Sequence, residues 1–131
     1  MNNDLAAALL ARNAAILAWV AESPATRWAT TLSTDLAYWA SYGVFTAEQL
    51  DHYLLVCDVF ETSRAAYGFK PSWACLMAAD NATLRRELEM CQDMLRRERE
   101  AELAFERAEA AAYQAALRSR SGWSIGEIVG L

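Results

Sequence analysis

Breakers are scarce in this chain. Its 131 residues contain two prolines and five glycines, and four of the glycines lie at or after position 68. No stretch alternates apolar and polar residues as a half-buried strand would. The sequence has no GxGxxG, no GxxxxGK[ST] and no DxDxDG loop, so the usual dinucleotide, phosphate and calcium cradles are missing. There is one histidine, His52, and no ExxH spacing of the kind di-iron bundles use. Cys57, Cys75 and Cys91 are an odd set without a CxxC pair, which argues against a zinc site. They read as reduced, mostly buried thiols of a cytoplasmic protein. No cofactor or metal is expected.

Charge of one sign is also lacking. The net charge of −5 leaves no overall basic footprint for nucleic acid, and it is modest for a mimic of DNA. Residues 80–131 hold ten acids and eight bases, so the second part is charge-dense but nearly balanced. The apolar opening, "LAAALLARNAAILAWVA", is interrupted by Arg12 and Asn13, and Asp4 stands where a signal peptide needs positive charge. It falls short of the roughly 20 clean apolar residues of a membrane helix. Neither secretion nor membrane insertion is expected.

What is present is helical, and the spacing predicts an all-α fold: three helices forming a core, then one long, partly projecting helix, in a single domain over residues 1–131. Leu5, Leu9, Ile16 and Val20 mark the first helix, widened by Leu10 and Leu17, with Asn3 or Asp4 as cap and Ser23-Pro24 as its end. Trp28, Leu32, Leu36 and Trp39 suggest a second, although the Thr and Ser between them are poor helix formers. Gly43 sits where a left-handed cap belongs. Thr46 to Gln49 reads as a capping box for the third helix. Leu50, Tyr53, Leu54, Cys57 and Phe60 fill one of its faces, and Leu55, Val56 and Val59 spread beyond it, which marks a central helix.

Asp80 or Asn81 caps the last helix, and no Gly or Pro occurs from Ala82 to Ser121. A helix over about 81–120 is a rod of roughly 57 Å. A compact domain of this size is about 36 Å across. Leu84, Leu88, Cys91 and Leu95 form a docking seam in its first half. Beyond it Ala101, Phe105, Ala108, Ala112 and Ala115 continue at heptad-like spacing, which suits a projecting or pairing segment, including a homodimer through this helix. The apolar tail 122–131, "GWSIGEIVGL", either folds back or docks on a partner.

Between the third and last helices lies "AAYGFKPSWACLM", residues 65–77. Gly68 suits a left-handed helix end, and Pro71 stiffens the turn. Phe69 and Trp73 can then plug the core while Lys70 stays in water. The other reading is an aromatic and basic binding corner, with Tyr67 and Lys70 as its contacts. The two readings coexist. This stretch, followed by "NATLRRELEM" and a charged Ala/Glu/Arg helix, resembles a group of small proteins of bacteriophages, plasmids and related mobile elements. In that group a Tyr/His-Gly-Phe-Arg/Lys-Pro-Arg/Ser turn precedes a long acidic and basic helix. The similarity spans roughly residues 35–115 and leaves out the first helix and the tail. Lys70 stands at the motif's basic position, whereas Ser72 replaces a second basic residue found in many members. The resemblance carries no activity with it.

The expected function is therefore that of a non-enzymatic accessory protein of a mobile element. It would bind and inhibit or modulate a host protein in a bacterial cytoplasm, an anti-CRISPR or anti-restriction inhibitor being the concrete form. Its expected contacts are Arg96, Arg97, Arg99 and Arg107, alternating with acids, together with Tyr67 and Lys70. One alternative is a nucleic-acid-associated regulator using the Arg-rich helix, although interleaved acids cancel the long-range field. Another is a small enzyme around His52 and Glu48, which lie one helical turn apart.

Overall fold

The structure, a computed structural model, describes residues 4–120. Its regular structure is all helix: α1 Asp4–Glu22, α2 Leu36–Ala40, α3 Ala47–Tyr67, α4 Trp73–Ala78 and α5 Asn81–Arg120. No strand occurs among the described residues. The chain divides into two compact units, Met1–Leu88 and Glu89–Leu131. The tail at 122–131 lies outside the described residues.

In the first unit α3 packs against both α1 and α4, as its wide apolar girth predicts. One core cluster joins Leu5 and Leu9 of α1, Trp39 of α2, Val44, and Leu50 of α3. A second joins Val56 and Val59 of α3 to Leu84 of α5, with Leu76, Met77 and Leu88 against it. Complete burial of a Leu or Val side chain contributes roughly 1.5–3 kcal/mol. These few side chains therefore carry much of the unit's stability. Val56 and Val59, expected at the margin of the α3 face, are fully buried.

Leu10 and Leu17 do not widen the core stripe of α1; both are exposed. Asp4 is the first residue of α1, and its carboxylate accepts from the Ala47 backbone N–H at 3.0 Å. It thereby ties the start of α1 to the start of α3.

The second helix is the largest correction. Residues 27–35 are not helical, and α2 is only five residues long. Trp28, the first residue of the supposed stripe, is 82% exposed. The physical reason lies in Thr30, Thr31, Ser33, Thr34 and Asp35, whose side chains compete for backbone groups. Asp35 caps what helix there is, accepting from Ala37 N–H at 3.0 Å.

The extended stretch is instead held by α1. Asn13 Nδ2 donates to the Leu32 carbonyl at 2.9 Å, and its Oδ1 accepts from the Leu32 N–H at 2.7 Å. Arg27 lies over the Trp19 ring at 4.8 Å and donates to the Trp19 carbonyl and to Glu22. The Trp39 indole donates to the Ser33 carbonyl at 2.7 Å.

The helix ends follow their local chemistry. Gly43 takes φ 75°. Thr46 Oγ1 accepts from Gln49 N–H at 3.1 Å. Gln49 Oε1 reaches back to the Phe45 N–H at 2.8 Å, one residue earlier than in the usual reciprocal box. Asp80 Oδ1 accepts from Thr83 N–H at 2.7 Å at the start of α5, and that bond holds its carboxyl below the usual range.

Candidate functional site

The corner between α3 and α4 is built residue by residue. Gly68 closes α3 at φ 79°, and its N–H donates to the Arg64 carbonyl at 2.9 Å. Pro71 then fixes an extended approach, and Ser72 Oγ accepts from Cys75 N–H at 3.3 Å to start α4. Trp73, the first residue of α4, turns inward, with its ring edge-on to Tyr53 at 5.8 Å and Phe60 at 5.5 Å. Its ring makes these contacts from the surface, since Trp73 remains 38% exposed, so the core plug expected of it is not formed.

Phe69 is not a plug. It is 65% exposed and stacks on Tyr67, with centroids 5.9 Å apart and planes 25° apart. Lys70 beside it is exposed and makes no hydrogen bond or ion pair among the described residues. Of the expected contacts, Tyr67 and Lys70 therefore share one surface, and Phe69 belongs with them. Sequence reasoning assigned Phe69 inward on hydrophobicity alone. The available signal was its place between a left-handed glycine and Lys-Pro, where no helical face directs a side chain to the core.

The arginines of α5 lie in the second unit. Arg96 and Arg97 converge on Asp93, at 2.7 and 2.9 Å, and the Arg96 bond draws that carboxyl below its ordinary range. Arg99 reaches Glu102 at 3.4 Å. Arg107 has neither an ion pair nor a hydrogen bond among the described residues. At 100° per residue, Arg96, Arg99 and Arg107 fall on one stripe and Arg97 about a quarter turn away. Phe105, Ala112 and Ala101 face the other side. All of these pairs are exposed, so each contributes little to stability.

His52 is a structural brace. Nε2 donates to the Met77 carbonyl at 2.9 Å, and Nδ1 meets the Asn81 side-chain amide at 2.7 Å. One residue thus links α3 to α4 and to the start of α5. The Glu48–His52 pair that one turn's spacing permits is not made. Both residues line a cleft of about 770 Å³ that also takes in Tyr42 and Tyr53. Both ring nitrogens thus face polar groups of the protein itself, the Met77 carbonyl and the Asn81 side chain.

Burial pushes the Tyr53 phenol up to about 12, with the neighbouring Cys57 thiol adding to the effect. Of the thiols expected to be mostly buried, Cys91 is buried, Cys57 is half-buried and Cys75 is exposed. Among the described residues no three of His, Cys, Asp and Glu stand together as a metal's ligands would.

No family model, no curated protein and no solved structure matches the chain.

Proposed function

We propose that this chain is a non-enzymatic accessory protein of a mobile element that binds and restrains a host protein, with a component of bacterial immunity as its target class. The observation that carries the reading is the α3–α4 corner. Phe69 stands mostly in solvent, stacked on Tyr67 and next to Lys70, on a short turn that Gly68 opens with a left-handed residue and Pro71 restricts. An exposed aromatic on a turn that proline restricts loses less freedom on binding, and aromatic anchors dominate the energetics of protein interfaces. The mobile-element assignment is supported by the resemblance of this same Tyr-Gly-Phe-Lys-Pro stretch to proteins of that origin. Arg107 and the Arg96/Arg99 stripe would supply directional contacts on α5.

Affinity purification of the full chain from a bacterial host, with Phe69→Ala and Lys70→Glu variants in parallel, tests the reading. A protein partner captured by the native chain and lost from both variants is expected. Reversal of Arg96, Arg97 and Arg99 to Glu should weaken the same capture while leaving helicity intact. Direct DNA or RNA binding with a steep salt dependence would overturn the reading in favour of a nucleic-acid regulator.

A further inference from the structure

The outward side of α1 is the least accounted-for surface of the molecule. Ala7, Leu10, Ala11, Ala14, Leu17, Ala18 and Ala21 are all exposed, Leu10 by 64% and Leu17 by 59%. At 100° per residue they occupy a stripe about 120° wide. It lies opposite Leu5 and Leu9, which are buried in the core. No charged or polar residue interrupts it; Asp4 and Glu22 sit at its edge, one at each end of the helix. Ala7, Leu10, Ala14, Leu17 and Ala21 follow a 3-4-3-4 spacing, the a/d pattern of a helix that packs along another helix.

We infer that this face is a self-association surface, on which α1 of a second copy of this chain packs antiparallel. Three observations select that occupant. The first is chemistry: a face of Ala and Leu alone demands a partner face equally free of charge. Another α1 meets that demand, while α5 from residue 85 to 109 is dense in Arg and Glu. The second is shape. The a positions are all Ala, so two such helices approach closely, and the closed two-fold pair places Ala14 against Ala14 of the other copy.

The third is area. The exposed atoms of the two leucines and five alanines offer roughly 500 Å² per copy, so complete covering of both faces buries at most about 1,000 Å² in total, the lower threshold of a specific interface. Antiparallel packing also sets opposite helix dipole ends side by side.

A bilayer is the competing occupant. By length and composition α1, with mean hydropathy 1.4, is the one helix among the described residues apolar enough to span one. Yet its Leu5 and Leu9 are in the protein core, and Asn13 grips Leu32. Its one cation, Arg12, is paired with Asp51, so it lacks the basic flank that draws an amphipathic helix to anionic lipid.

Sedimentation equilibrium of the full chain at tens of micromolar should give a mass approaching twice the 14.6 kDa of one chain. Leu10→Glu and Leu17→Glu should each return the mass to one chain with an unchanged helical circular dichroism spectrum. Since these sites are exposed, the variants fold; Ala14→Glu serves as a third. In a Cys75→Ser background, Ala14→Cys should form an oxidised homodimer, whereas Ala15→Cys, turned off the stripe, should not. A single-chain mass throughout would overturn the inference. So would a dimer indifferent to the three Glu variants, or flotation of the native chain with phosphatidylcholine vesicles that Leu17→Glu abolishes. These readouts do not involve Phe69 or Lys70, so they stand or fall separately from the corner.

Discussion

Replacing Asn13 by Ala removes a side chain that makes two hydrogen bonds to one backbone residue. Its amide donates to the Leu32 carbonyl at 2.9 Å and accepts from the Leu32 N–H at 2.7 Å, in a half-buried setting. Each bond contributes about 1 kcal/mol net, and a backbone group left unsatisfied costs more. Water can reach a half-buried site, which offsets part of that second cost. The loss is then about 2 kcal/mol. For a unit of fewer than 100 residues this lowers the melting temperature by about 10 °C. Thermal unfolding by circular dichroism reads the total, and hydrogen exchange at the Leu32 amide reads the site.

Asn13→Asp sharpens the test. Above its pKa the carboxylate still accepts from Leu32 N–H but faces the Leu32 carbonyl with like charge, so it should destabilise at least as much as Ala. That repulsion raises the folded-state pKa of the new acid, so the folded state binds its proton more tightly. The deficit should shrink as pH falls through that pKa, where the acid can donate to the carbonyl. An Asn13→Ala variant that melts with the native chain, and whose Leu32 amide exchanges no faster, would refute the claim that α1 pins this stretch.

Two further outcomes follow from the geometry. Gly68→Ala should cost about 1 kcal/mol in chemical denaturation, all of it backbone strain. A Cβ at Gly68 meets nothing within 4 Å, while φ is 79°; Gly68→Asn, which tolerates that conformation better, should recover part of the loss. Alkaline unfolding should be steepened by Tyr53, whose phenol is raised from 10.0 to about 12 mainly by burial. The unfolded chain releases this proton first, so the contribution is complete below pH 10 and is lost as pH rises through about 12. A Tyr53→Phe chain should show a shallower alkaline limb in stability against pH, and an identical limb would contradict the assignment.

Helix ends were the most legible feature of the sequence, because each is decided by one or two residues acting locally. Gly68, Thr46, Asp80 and Ser23-Pro24 stand where their chemistry places them. The i to i+4 spacing of Trp28, Leu32, Leu36 and Trp39 misled because a stripe is only half of a helix. The residues between must also surrender their side-chain hydrogen bonds, and Thr30 to Asp35 are poorly suited to that. The decisive partner, Asn13, lies 19 residues away, and its pairing with Leu32 has no local signature. Asn13 and Arg12 looked like interruptions of an apolar run. They tie α1 to its neighbours beside the buried Leu5 and Leu9, one on Leu32 and the other on Asp51. At the corner, Tyr67 and Lys70 could be picked out from their types. Phe69 could not, since hydrophobicity says that a side chain favours burial without saying whether the backbone aims it there.

The α1 face and the corner interact in their consequences, although they are argued from different residues. Both belong to the first unit. A pair joined through α1 carries two copies of Tyr67, Phe69 and Lys70 in one assembly. A single exposed aromatic pair with one cation is a small anchor, and small interfaces are weak. Two anchors on a target that is itself oligomeric convert the second contact into an intramolecular event. That gain can reach 10²- to 10⁴-fold without any new contact. It requires that the spacing of the anchors match the target's, so pairing through α1 would select among targets by their symmetry as well as by their surface chemistry. A monomeric target would bind each corner independently and gain nothing from the pair.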